Sequence, residues 1–245
     1  MRAMVLAAGL GTRLRPLTDH RPKALVEVSG RTMLQITLSR LRAFGIQDVI
    51  INAHHFADML VNYLREHNNF GLNIQVSHED VLLDTGGGLK KAAYFLAGSD
   101  EPFLLHNVDV ISAIDFGAML AHHREHNALA TLAVQDRPSS RQLLFDEHLQ
   151  LCGRRMKGLD TDEIVRPSAT LTPLAFAGIH VISPKIFELM TEEGVFSIIE
   201  PYLRLAGDGE RIAGFRADKY YWRDLGKLES IRQAEEDLRA QRWRM

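Results

Sequence analysis

Short apolar runs alternating with amphipathic stretches organise the first half of the chain. Ala3 to Ala8 is a continuous apolar run that ends in a glycine loop, the pattern of a buried strand. Leu34, Leu38 and Leu41 then recur at helical spacing, and Gly45 supplies a stop. Further strands are expected over Asp48 to Asn52, Leu72 to Ser77, Pro102 to Asn107 and Ala130 to Gln135. The helices between them are marked by Met59, Leu60, Tyr63 and Leu64, by Gly88 to Leu96, and by Phe116 to Asn127. Such alternation predicts an α/β fold: three layers, with a Rossmann-like, mostly parallel sheet covered by helices on both faces. Ligands in these folds bind beyond the carboxyl ends of the strands, which directs attention to Ala8 to Arg13 and to Asn107-Val108-Asp109.

The second half changes character. Leu143 to Phe145, Leu149 to Cys152 and Ala175 to Ile182 read as short strands, with Asp146-Glu147 as a hairpin turn. Helices are expected over Pro184 to Met190, Ile198 to Ala206 and Leu228 to Trp243. No repeat, low-complexity tract or linker interrupts the chain. Residues 1–245 are therefore expected to form one domain, with a β-rich insertion in its second half.

Composition narrows the function classes. The 245 residues are 46% hydrophobic and 24% charged, as in ordinary globular proteins. A net charge of -2 argues against a nucleic-acid binder, which needs a basic face. The single cysteine, Cys152, cannot form an internal disulfide, which favours a reducing cytoplasm or indifference to redox state. No run of about 18 apolar residues suggests a membrane span. Arg2 and the apolar run after it lack the cleavage context of a signal peptide, since Gly11-Thr12-Arg13-Leu14-Arg15 follows at once.

Against that acidic background the segment after the first strand is basic. From Arg13 to Arg31 stand Arg13, Arg15, Arg21, Lys23 and Arg31, against Asp19 and Glu27. Gly9 and Gly11 allow close backbone approach, so successive N–H groups can surround an anion. Arginine grips phosphate in a bidentate way and lysine supplies a mobile charge. Two familiar glycine motifs are excluded. No G-x-x-x-x-G-K-[ST] run is present, and Leu14 stands where a dinucleotide fingerprint needs its third glycine. A tight strand-to-helix turn with solvated arginines is the bland alternative for so short a motif.

The longer string from Leu6 to Thr18 (LAAGLGTRLRPLT), followed by Pro22-Lys23, resembles the signature of the sugar-1-phosphate nucleotidylyltransferases. The resemblance implies the nucleotide-diphospho-sugar transferase fold and a reaction joining a nucleoside triphosphate to a sugar 1-phosphate with release of pyrophosphate. By it, Leu6, Ala8, Gly9, Gly11, Thr12 and Arg13 hold the nucleotide, and Lys23 reaches the α-phosphate. Asn107-Val108-Asp109 and Trp222-Arg223-Asp224-Leu225-Gly226 are similar to the family's two acidic elements, which makes Asp109 and Asp224 candidate Mg²⁺ ligands. Val108 stands where the family usually has a small residue. Thr85, Gly86 and Gly87 resemble the element that reads the nucleobase. Phe176-Ala177-Gly178-Ile179-His180 resembles the acceptor strand, with Gly178 admitting the sugar and the Asn107 amide bonding a hydroxyl.

The Glu-Lys-Pro segment of many members, whose lysine binds the sugar phosphate, has no counterpart; Arg154, Arg155 and Lys157 occupy that part of the chain. The short bacterial N-acetylmuramate-1-phosphate uridylyltransferases, which this chain resembles in length and in its Thr-Gly-Gly-Gly run, also lack it. UTP with an N-acetylmuramate-like acceptor is thus the expected pair, and GTP with a mannose- or heptose-type phosphate the alternative. No β-helix region follows, so no second acyltransferase activity is expected. A regulatory nucleotide-sugar binder is the rival from another class, and a homo-oligomer is left open. His122 and His126 share a helix face, but without a carboxylate motif they read as a solvated face rather than a zinc site.

Overall fold

The computed structural model describes residues 1–158 and 161–243. Its strands in chain order are β1 (Ala3–Leu6), β2 (Glu27–Val28), β3 (Arg31–Thr32), β4 (Asp48–Ala53), β5 (Asn73–His78), β6 (Phe103–Asn107), β7 (Val110–Ser112) and β8 (Ala130–Gln135). They continue with β9 (Arg141–Phe145), β10 (Leu151–Met156), β11 (Glu163–Ile164), β12 (Thr172–Ile182), β13 (Ile212–Arg216) and β14 (Trp222–Asp224). The helices are α1 (Met33–Ala43), α2 (Ala57–Glu66), α3 (Asp84–Lys91), α4 (Ala93–Leu96), α5 (Phe116–Glu125), α6 (Ile186–Leu189), α7 (Ile199–Gly207) and α8 (Leu228–Arg239).

The strands β6, β1, β4 and β5 pair in parallel in that order, the arrangement that alternating strands and helices impose. β12 continues the sheet antiparallel to β6, followed by β8 and its parallel neighbour β13. β12 is long enough to change partners along its length. Thr172 to Leu174 pair with β9, and β10 and β11 extend the sheet from there. The β-rich insertion thus prolongs the central sheet.

Alternate residues of β1 face opposite sides, as the strand period requires. Ala3 and Val5 join a core with Leu34, Leu38 and Leu41 of α1 and Phe116 and Met119 of α5. Met4 and Leu6 pack with Leu89, Phe145, Tyr202 and Leu203 on the other side. The Thr32 side chain caps α1 by accepting from the Gln35 amide (3.0 Å), and the Asp115 carboxylate caps α5 at Ala118 (3.0 Å).

Several boundaries differ from the sequence reading. β1 stops at Leu6, because the Ala7 and Ala8 amides turn to the Asn52 side chain. α3 begins at Asp84 rather than at Gly88, so the glycine cluster lies inside a helix. β13 was not expected; Gly214 interrupts its apolar run, but parallel pairing to β8 holds it.

Candidate active site

Ala7 and Ala8 donate to Asn52 Oδ1 at 2.7 and 3.3 Å, and Asn52 Nδ2 donates to Glu79 Oε1 at 2.7 Å. The other Glu79 oxygen accepts the Leu83 amide at 3.0 Å, just before α3. Asn52 is 2% exposed and Glu79 1%. A buried polar chain therefore fixes the end of β1 against the start of α3, and every member has a partner. Sequence reasoning missed both residues. The only local sign was a polar residue near the end of each of two strands.

Beyond Ala8 the backbone turns sharply. Gly11 has φ +64, and its carbonyl accepts from Leu14 N (2.8 Å) and Thr18 Oγ1 (2.9 Å). A Cβ on Gly9 would lie 3.1 Å from Lys23 Nζ, and one on Gly11 3.0 Å from both Lys23 Cβ and Thr18 Cγ2. The glycines are what let the Lys23 side chain lie along this loop. Its ammonium ends 3.1 Å from Asp109 Oδ2. Thr12 and Arg13 occupy an exposed single turn beside it.

Asp109 follows β6, and the short antiparallel pair of β7 and β14 brings Asp224 opposite Val110, its neighbour. The Leu225 amide donates to the Asp109 carbonyl at 2.7 Å, which joins the two acidic elements directly. Asp224 Oδ1 accepts from Gly226 N at 2.7 Å. A Cβ on Gly226 would meet Asp224 Oδ1 at 2.8 Å and Arg13 Nη2 at 2.9 Å, so the carboxylate and the guanidinium flank this glycine. Residues 13, 23, 109 and 224, spread over the whole chain, thus meet at the carboxyl ends of β1 and β6. Val108 does not obstruct the cleft. Its side chain is fully buried in the core, and its amide donates to the Leu6 carbonyl at 3.1 Å.

Two carboxylates without histidine or cysteine form an oxygen donor set. Among the described residues no group of three or more His, Cys, Asp or Glu side chains is placed to hold a metal. The pair suits a hard cation that keeps water or phosphate oxygens in the rest of its shell, and does not suit a structural zinc cage.

Gly178 has φ +74 and sits where the pairing of β12 with β8 shifts register, a bulge that glycine permits. A Cβ there would lie 2.9 Å from Asn107 Nδ2, so these two residues are neighbours. The Trp222 indole donates to the Ala177 carbonyl at 2.7 Å. Between them and the β9–β10 hairpin opens a cleft of about 920 Å³, lined among others by Arg13, Arg137, Arg154, Arg155, Trp222 and Asp224. Arg154 and Arg155 of β10 are paired with Glu163 of β11 (2.6 Å) and with Asp162 just before it (2.8 Å).

The glycine run at 86–88 is shaped by packing. Gly86 N and Gly87 N both donate to the Phe196 carbonyl, at 2.9 and 3.3 Å, and Thr85 Oγ1 accepts from Ile198 N at 2.9 Å. A Cβ on Gly86 would overlap the Phe196 ring, one on Gly87 the Gly194 carbonyl, and one on Gly88 would come within 2.8 Å of Asn52 and Glu79. These glycines let α3 start against the 194–198 segment and the Asn52–Glu79 pair.

The family model described as "Nucleotidyl transferase" matches residues 2–143. The chain belongs to that family. It is 36% identical over 244 residues to the N-acetylmuramate alpha-1-phosphate uridylyltransferase of Caulobacter vibrioides, covering 96% of each chain. To the enzyme of that name from Neisseria meningitidis it is 31% identical, covering 96% and 97%. A probable mannose-1-phosphate guanylyltransferase of Oryza sativa is 29% identical over 93% of this chain and 62% of its own length. Among solved structures, UDP-glucose pyrophosphorylase complexed with UDP-glucose shares the fold at a TM-score of 0.80 and 18% identity, over 98% of both chains. HddC from Yersinia pseudotuberculosis complexed with GMP-PN does so at 0.75 and 22%, over 97% and 99%. The chain is a sugar-1-phosphate nucleotidyltransferase. Among the described residues no helix is long and apolar enough to cross a membrane.

Proposed function

We propose that this transferase moves a uridylyl group from UTP to an N-acetylmuramate-type sugar 1-phosphate, releasing pyrophosphate. The reading is supported by the two uridylyltransferases that match over nearly the full length of both chains. The observation that carries the chemistry is the convergence of Lys23 on Asp109 and of Arg13 on Asp224 at one end of the sheet.

In this reading the turn from Gly9 to Arg13 holds the triphosphate, with the base against Leu6 to Ala8 and the Thr85 end of α3. Asn107 and Gly178 receive the sugar. A phosphate oxygen of the acceptor attacks the α-phosphorus in line, the new P–O bond forms as the α–β bridge breaks, and pyrophosphate leaves. Arg13 and Lys23 neutralise charge that builds on the phosphoryl oxygens, and no covalent enzyme intermediate is needed. Asp109 and Asp224 would hold Mg²⁺, which when bound supplies charge neutralisation and orients the phosphate oxygens. The nucleotide half is residues 1–135 and the acceptor half residues 136–245.

Base and acceptor are tested by supplying equal UTP and GTP with N-acetylmuramate 1-phosphate and mannose 1-phosphate together and resolving products by mass. UDP-N-acetylmuramate in large excess is expected. GDP-mannose as the main product would replace this pair with the guanylyl alternative, and nucleotide-sugar binding without any product would favour a regulatory role.

A further inference from the structure

Among the described residues Arg137 is the cleft arginine that is both partly buried and unpaired; Arg13 and Arg141 also form no ion pair but are exposed. Arg154, Arg155 and Arg223 each face a carboxylate, on Glu163, Asp162 and Asp237. Arg137, half-buried at the end of β8, forms no ion pair among the described residues. Its guanidinium lies over the Trp222 indole, with Cζ 3.9 Å from the ring centroid, and Nη2 donates to the Phe176 carbonyl at 2.8 Å. Nε is buried and has no hydrogen-bond partner among the described residues. Burial lowers the Arg137 pKa, and the charge of Asp224 acts against that.

A cation held by a stacked ring and one carbonyl is oriented and partly desolvated, yet has no carboxylate in contact with it among the described residues. Leaving a buried charge uncompensated is unfavourable, so such a group is kept where an anion is to arrive. The surroundings say which anion. Trp222 lies two residues before Asp224 on β14, and its indole holds the Ala177 carbonyl beside Gly178. Arg137 is therefore tied to the strand bearing the acidic element and to the bulge that meets Asn107. Arg13, which lines the same cleft, and Lys23, paired with Asp109, come from the glycine-loop segment instead.

We infer that Arg137 is the acceptor-side phosphate ligand, gripping the phosphate of the sugar 1-phosphate while Trp222 fixes the plane of the guanidinium. The assignment rests on the transferase reading above. Its logic is division of labour: the glycine loop with Arg13 and Lys23 serves the triphosphate, and Arg137 serves the second phosphoester that must meet it.

The test is steady-state pyrophosphate release by wild-type, Arg137→Gln and Arg137→Lys proteins, with each substrate varied in turn. Loss of a charge-assisted, bidentate contact is expected to raise KM for the sugar 1-phosphate roughly 30-fold or more in the glutamine variant. The lysine variant keeps the charge but not the fork and should fall between. KM for the nucleoside triphosphate should stay within about twofold in both, because neither variant touches that segment. Equal losses for both substrates, a lower kcat with unchanged acceptor KM, or no effect would overturn the assignment and leave Arg137 a brace for Trp222. A wild-type protein that releases no pyrophosphate with any acceptor overturns the transferase reading first, and this assignment with it.

Discussion

Replacing Asn52 by leucine tests whether the buried polar chain holds the glycine loop after β1 in place. The substitution is nearly isosteric, but it strips the acceptor from the Ala7 and Ala8 amides and the donor from Glu79. Each buried polar group left unpaired costs about 1–3 kcal/mol. Taking the middle of that range for three groups, and returning about 2 kcal/mol for a buried leucine, gives a loss of about 4 kcal/mol. In a chain of this length that lowers Tm by about 8–16 °C. Urea unfolding followed by circular dichroism measures the loss, and Asn52→Leu/Glu79→Leu completes a double-mutant cycle. The double variant should be less destabilised than the two single effects added together, by about 1–2 kcal/mol, because the first change already removes the shared bond. KM for the triphosphate should rise as the loop loosens. A single variant within about 1 kcal/mol of wild type, or strictly additive losses, would refute the claim that these residues act as one unit.

Other consequences are as direct. Gly86→Ala places a methyl group against the Phe196 ring and carbonyl and should destabilise by about 1–3 kcal/mol in the same assay. Asp237 accepts from Tyr221 Oη (3.0 Å) and pairs with Arg223 on β14 and with Arg242, all while 2% exposed itself. Asp237→Ala should cost about 2–3 kcal/mol, discounted because both arginines are partly exposed, and should lower kcat by loosening the strand that carries Asp224. His106 and His180 are held neutral chiefly by burial, with pKa values lowered to about 3, and His123 likewise to about 4. Their folded values lie below the unfolded one, so the stability they contribute is present above about pH 6.5 and lost as pH falls toward 3–4. Each should cost about 2 kcal/mol between about pH 7 and 5, read as a falling urea midpoint, and His180→Gln should flatten part of that slope.

What the sequence disclosed follows from how local each signal is. The buried strands β1, β4, β6 and β8 are apolar throughout or nearly so, and α1 announces itself by the spacing of Leu34, Leu38 and Leu41. The Asp146-Glu147 turn was legible because Asp146 closes it by accepting from His148 N and Gln150 N. The two-strand ladder of β7 and β14 was not, since three-residue strands exist only through a partner about 110 positions away. The helix start was placed at Gly88 rather than Asp84, since glycine disfavours helix, but packing of Gly86 and Gly87 against Phe196 and Gly194 outweighs that preference. Lys23, Asp109, Arg13 and Asp224 stood out through a family-like string, and the fold brings them together. Arg137 and the Asn52–Glu79 pair carried no motif, and their meaning lies in burial and partners that only the folded chain supplies.

Two carboxylates, Asp109 and Asp224, are the centre of the proposed nucleotidyl transfer. The most direct measurement is pyrophosphate release from UTP and N-acetylmuramate 1-phosphate, with and without Mg²⁺, by wild-type protein and by folded Asp109→Asn and Asp224→Asn variants. Release should require both substrates and the metal, and should fall by about 10³-fold or more in either variant with the unfolding midpoint little changed. Either variant turning over at the wild-type rate, or wild-type release that needs no metal, would contradict that role.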